Sequence, residues 1–140
     1  MSETRPRRLL RSIAAVLAGF AAVVILSLGT DMVLHATDVF PPWGQPMSDA
    51  LFLLATVYRT IYSVVGSYLA ARLAPNRPMQ HALALGVVGL AVSTAGALAT
   101  WDQGPEFGPH WYPLALIVLA MPGAWVGGRL HGMRATRNAD

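Results

Sequence analysis

Residues 80–100, QHALALGVVGLAVSTAGALAT, contain no Asp, Glu, Lys or Arg, and as a helix they are long enough to cross the roughly 30 Å hydrocarbon core of a bilayer. In lipid only helices and closed barrels satisfy all their backbone polar groups, and an unbroken apolar run of this length is the helical signature. Three stretches of the same kind surround it, at residues 9–36, 49–73 and 113–131. Together they predict an all-α integral membrane four-helix bundle, a single transmembrane domain over residues 1–140 with neighbouring helices antiparallel. Composition agrees: the 140 residues are 54% hydrophobic and 12% charged, about half the charged share of a soluble domain. Nothing outside the four runs is long enough to fold as a separate aqueous domain.

The basic residues are all Arg, and all but Arg59 fall in three groups. Arg5, Arg7, Arg8 and Arg11 precede or open the first run, Arg72 and Arg77 flank the turn between the second and third, and Arg129, Arg134 and Arg137 follow the fourth. The other two connections hold no Arg and carry Asp38, Asp49, Asp102 and Glu106. Positive residues mark the cytoplasmic side, so the expectation is a multi-pass protein of a bacterial inner (plasma) membrane with both termini cytoplasmic. A basic balance can also mean nucleic acid, but these Arg residues punctuate apolar runs and form no stripe, so no nucleic-acid partner is expected. The opening Arg-Arg-Leu-Leu-Arg resembles the start of a secretory or twin-arginine signal. The run that follows continues for about twenty residues without an A-x-A cleavage site, and it reads as an anchor.

The remaining segments fit this frame. The connections FPPWGQP (40–46) and DQGPEFGPHWYP (102–113) are turn-rich, and APNRP (74–78) is a tight reversal. Phe40, Trp43, Phe107, Trp111 and Tyr112 are placed for an aromatic belt at the outer interface. Ser48 or Asp49 is positioned to cap the second helix, Pro113 suits the first turn of the fourth, and Pro122 is expected to kink it. Gly86, Gly89, Ser93, Gly96 and Thr100 recur at helical spacing, with Gly123, Gly127, Ala15 and Gly19 elsewhere. Side chains this small admit close helix contact, either within one bundle or along a homo-oligomer seam. The endings Gly66–Leu73 and Gly123–Leu130 resemble each other, which suggests two helical hairpins related by duplication.

Candidate functional residues are the polar groups inside the runs. Arg59 lies about ten residues into the second run, or ~15 Å deep, where a lone Arg costs about 2.5–3.5 kcal/mol and must find a partner. Asp31 in the first run is the obvious one, because helical side chains lean toward their own N-terminus and two antiparallel helices lean these two toward each other. Ser27, Thr30 and His35 share the face of Asp31; Thr56, Tyr62 and Ser63 share that of Arg59; Tyr58 is expected to point elsewhere. The set reads either as polar glue or as a site for a ligand, ion or proton.

Specific chemistries are mostly excluded. Without Cys there is no disulfide, thiolate nucleophile or Cys-held metal, haem or cluster. Asp31 and His35, even with Asp102, Glu106 and His110, have only generic metal spacing, and no metal site or cofactor is expected. No triad, P-loop or dinucleotide fingerprint is present; an intramembrane enzyme using Asp31, His35 and Arg59 is the least favoured reading. The first run lacks the embedded Glu of small multidrug exporters. What remains is a non-enzymatic polytopic protein: a structural or accessory subunit built on an Asp31–Arg59 network, or a small transporter or channel binding an anionic solute at Arg59. Expected partners are the lipid bilayer, further copies or a larger membrane complex, and an anionic small molecule or lipid.

Overall fold

A computed structural model describes residues 4–140. It consists of four helices, α1 (Arg5–Ala36), α2 (Asp49–Leu73), α3 (Pro78–Thr100) and α4 (Trp111–Ala139), with one 3-10 turn at Pro105–Phe107 and no strand among the described residues. All four are long and apolar enough to cross a membrane. The domain expected over 1–140 includes residues 1–3, which lie outside the described residues.

Helix ends follow backbone chemistry more than hydropathy. α2 occupies the expected 49–73, with the Ser48 hydroxyl accepting from the Leu51 N–H at 3.4 Å and Asp49 in the first turn, where a carboxylate favours the helix dipole. α1 begins at Arg5, not at residue 9, and α4 continues to Ala139, not 131, because Arg is a good helix former and prolongs a helix past its apolar part. α3 starts two residues early, at Pro78, directly after Arg77 reverses the chain in a left-handed conformation (φ 44°). Pro122 lies inside the continuous α4.

Glycine positions set the crossings. The Gly66 carbonyl oxygen stands 2.5 Å from where a Cβ on Gly19 would be, and the Gly19 oxygen 2.7 Å from one on Gly66, so α1 and α2 touch backbone to backbone. A Cβ on Gly127 would strike the Val64 carbonyl oxygen of α2, and one on Gly86 would meet Ala124 of α4 at 2.6 Å. Contacts run in opposite chain directions between α1 and α2 (Gly19 on Gly66, Asp31 on Arg59) and between α3 and α4 (Gly86 on Ala124, Gly128 on Ala82). Those pairs are therefore antiparallel, while α2 and α4 run together (Gly123 on Ser63, Gly127 on Val64). α2 packs on all three other helices; α1 and α3 touch sparingly, and α1 has almost no contact with α4.

The interior is built from small residues: Ala15, Ser67, Ala70, Ala71, Ala82 and Ala124 are at most 1% exposed. Large aliphatics point outward, with Ile25, Leu98 and Val118 each at least 69% exposed. A soluble bundle does the reverse, whereas helices in an apolar medium associate through close backbone contact. The α3 stripe splits. Gly86 is packed against α4, but a Cβ on Gly89 or Gly96 would meet open space, so the stripe does not face one neighbour along its length. Phe40 also departs from the expected belt: it is buried with Ala55 and Tyr58, whereas Trp43 and Phe107 are exposed. The two hairpins cross differently, since Gly66 meets α1 whereas its counterpart Gly123 faces Ser63 of α2 and not α3.

These contacts give opposite expectations for similar substitutions. Gly66→Val or Gly127→Val should lower stability by about 1–3 kcal/mol or more, because backbone cannot yield to a new side chain. Gly96→Val should change it by less than about 0.5 kcal/mol. Thermal unfolding in detergent, followed by size-exclusion chromatography, checks this.

Candidate functional site

The site grows from one carboxylate. Asp31 is buried on an α1 face that looks at α2, and a buried carboxylate is tolerable only when it is paired and hydrogen-bonded. Both of its oxygens are satisfied. Arg59 Nη2 donates to Oδ2 at 2.5 Å and the Tyr58 hydroxyl donates to Oδ1. The opposed lean of side chains on antiparallel helices brings Asp31 and Arg59 together.

Tyr58 corrects the sequence reading, which placed its side chain elsewhere. Residues 58 and 59 project about 100° apart, and Asp31 faces the seam between them, so the two oxygens of one carboxylate collect donors from both. Five other expected members lie nearby without bonding to the pair. Thr30 donates to the Leu26 carbonyl at 2.8 Å, which commits its only proton; the Tyr62 hydroxyl, 2.6 Å away, therefore donates to Thr30. Thr56 is buried and donates back to the Phe52 carbonyl at 2.9 Å. Ser27 and Ser63 turn toward a cavity described below.

His35 does not join the pair. Its ring stacks on Trp43 with centroids 3.7 Å apart, and Nδ1 lies 2.7 Å from the Pro41 carbonyl oxygen, so it fastens the loop after α1. His110 repeats this in the other loop at the same end, stacked on Trp101 at 4.0 Å with Nε2 2.9 Å from that residue's carbonyl oxygen. Among the described residues no three His, Asp or Glu side chains gather around one point.

Tyr112 is a member that the sequence reading assigned to the belt. It packs against the Phe40–Ala55–Tyr58 cluster, with its ring centroid 5.0 Å from that of Phe52. Its position in the first turn of α4, which runs parallel to α2, puts it level with Phe52 near the start of α2. Hydropathy alone gives no hint of this, because an interfacial and an inward-facing Tyr look alike in sequence.

A cavity of about 290 Å³ opens beside Arg59 and is walled by all four helices. Phe20, Val24 and Leu28 of α1, Val92 of α3, and Leu116 and Leu119 of α4 make it mainly apolar. Arg59, Thr60, Ser27, Ser63 and Ser93 supply its polar atoms. It occupies the space that keeps α1 away from α4. Two of its lining residues, Leu28 of α1 and Val92 of α3, are more than half exposed, on helices that touch only sparingly. Toward the basic end it is closed by Leu85, whose methyl reaches 2.9 Å from the Cβ position of Gly19. Arg59 itself is 32% exposed against 10% for Asp31, so the cation and not the anion reaches the open space. Arg59 Nε is buried with no hydrogen-bond partner. No known family, curated protein or solved structure matches this chain, and the site is read from its own geometry.

Removing one charge strands the other. Arg59→Met or Asp31→Leu alone should cost about 3–5 kcal/mol, and the double variant should recover most of that loss. Tyr58→Phe should cost about 1.5–3 kcal/mol, the range for a hydrogen bond to a charged group. A double-mutant cycle on unfolding in detergent measures all three.

Proposed function

We propose that this chain is a small, non-enzymatic, multi-pass protein of the inner (plasma) membrane that takes a ligand from the bilayer into the cavity beside Arg59, as a carrier or transporter does. The observation that carries this reading is the cavity. A bundle serving only as scaffold fills its interior with side chains, whereas about 290 Å³ is left open here beside Arg59, which lies well inside α2. Intramembrane ionisable residues mark substrate and ion pathways, and pockets of this kind combine apolar walls with a few convergent polar groups. The reading includes both termini on the cytoplasmic side. Nine of the ten Arg residues cluster with the termini and the α2–α3 turn, and the acidic connections share the opposite end.

A second reading, the structural or accessory subunit, is supported by α1. Only Ala15, Gly19, Ser27 and Asp31 of its residues are buried, and Leu17, Ile25 and Met32 are each at least 59% exposed. That face suits a further copy in a homo-oligomer or a helix of a larger membrane complex. The two readings differ in what reaches the cavity.

In lipid nanodiscs, a bilayer-soluble alkyl diazirine should photolabel Ser27, Gly89 and Ser93 on the cavity wall. Gly89→Phe, whose side chain has open space before it, should abolish that labelling without lowering the unfolding temperature. Labelling confined to outward residues such as Leu98 and Val118, unchanged by Gly89→Phe, would leave only the accessory reading. Because the chain has no Cys, Asn76→Cys and Gln103→Cys test orientation: an impermeant maleimide should reach Gln103→Cys from outside intact cells and Asn76→Cys only after lysis.

A further inference from the structure

The polar end of the cavity has a definite donor and charge balance. Arg59 carries five N–H donors, of which Nη2 goes to Asp31, and its Nε is buried without a partner. The Tyr58 ring lies beside this guanidinium, with its centroid 5.9 Å from Cζ, and Tyr112 of α4 packs against the same cluster. Thr60 spends its proton on the Thr56 carbonyl at 2.7 Å. Ser27, Ser63 and Ser93 line the cavity, and among the described residues none of these hydroxyls makes a hydrogen bond. The three serine hydroxyls and the exposed part of the Arg59 guanidinium are therefore the donors that the wall offers an incoming molecule, whereas the buried Nε lies out of its reach.

Charge limits the choice of ligand further. The Asp31 carboxylate already balances the Arg59 cation at 2.5 Å. The site is net neutral, and in surroundings of low dielectric a ligand bringing an uncompensated charge meets a large desolvation penalty. Depth points the same way. From Arg59 and Ser27 the cavity wall runs toward Phe20 and Leu85, away from the loop end where a charged headgroup would rest. Size excludes a whole phospholipid, because about 290 Å³ is at the small end of the ~300–1,000 Å³ typical of pockets for drug-sized molecules. Leu28 of α1 and Val92 of α3, the most exposed of the lining residues, are apolar and sit within their helices, which favours an opening on the side of the bundle over one at its ends.

We infer that the ligand is an uncharged, bilayer-dissolved amphiphile whose head presents a carbonyl, as a ketone, ester or quinone does. The carbonyl oxygen accepts from Arg59 and a neighbouring Ser hydroxyl, and the hydrocarbon tail leaves between α1 and α3. This rests on the ligand-binding reading above and specifies its chemistry; it departs from an anionic solute because the anion's place beside Arg59 is already held by Asp31.

Competition against the alkyl diazirine in nanodiscs tests it, with four competitors of equal chain length: a methyl ketone, an alkane, a carboxylate and a primary ammonium. The ketone should displace the probe from Gly89 and Ser93 at about tenfold lower concentration than any of the others. In the Asp31→Leu/Arg59→Met double variant the probe should still label the cavity while the ketone loses its advantage over the alkane. A carboxylate that competes best, or four competitors of equal strength, would overturn the carbonyl assignment while leaving the pocket intact. Cavity labelling that is absent from the start, or insensitive to Gly89→Phe, would instead remove the binding reading and this inference with it.

Discussion

One carboxylate in an otherwise apolar helix constrains the rest of the bundle. Asp31 has no water to turn to on the buried face of α1, so α2 must present donors at that height and rotation, and Tyr58 and Arg59 are those donors. Close glycine contact between Gly19 and Gly66 lets the two backbones approach, but small residues alone define a sliding surface more than a register. The ion pair at the loop half and the glycine contact at the basic half fix two points on the same pair of helices. With both in place, α1 has one docking position.

The cavity follows from how that pair meets the other two helices. α2 holds α1 through Asp31 and Gly19, and holds α4 through Gly127 and Gly123. Two helices docked on separate faces of a third leave a wedge between them. α3 closes the wedge at the basic end with Leu85 but is too small-sided at Gly89 and Ser93 to fill it further along. Arg59 faces both ways, giving one nitrogen to Asp31 and part of its surface to the space. A group that stabilises the α1–α2 contact thereby also lends polarity to a pocket with apolar walls.

The loop end is held by a different device. His35 on Trp43 and His110 on Trp101 each combine a stacked ring with a ring nitrogen placed on a backbone carbonyl. Phe40 then tucks under the first loop onto Ala55 and Tyr58, next to the carboxylate. The loop that looked like an interfacial anchor thus forms the lid of the polar cluster. Histidines with generic metal spacing in sequence hold loop backbone in place here.

The four helices, most of the length of each, and the meeting of Asp31 with Arg59 are legible along the chain itself. Hydropathy over twenty residues is a local property, a bilayer has a fixed thickness, and two opposite charges in apolar runs have few other partners to choose. Helix packing brings Tyr58 and Tyr112 into the cluster and takes His35 out of it, covers Gly86 while leaving Gly89 and Gly96 open, and keeps a space beside Arg59. Each of these depends on which helices become neighbours and on which sides. Short connections make consecutive helices adjacent, but the α2–α4 contact and the gap between α1 and α4 arise from side-chain volumes on all four helices at once, and no single stretch of sequence carries that information.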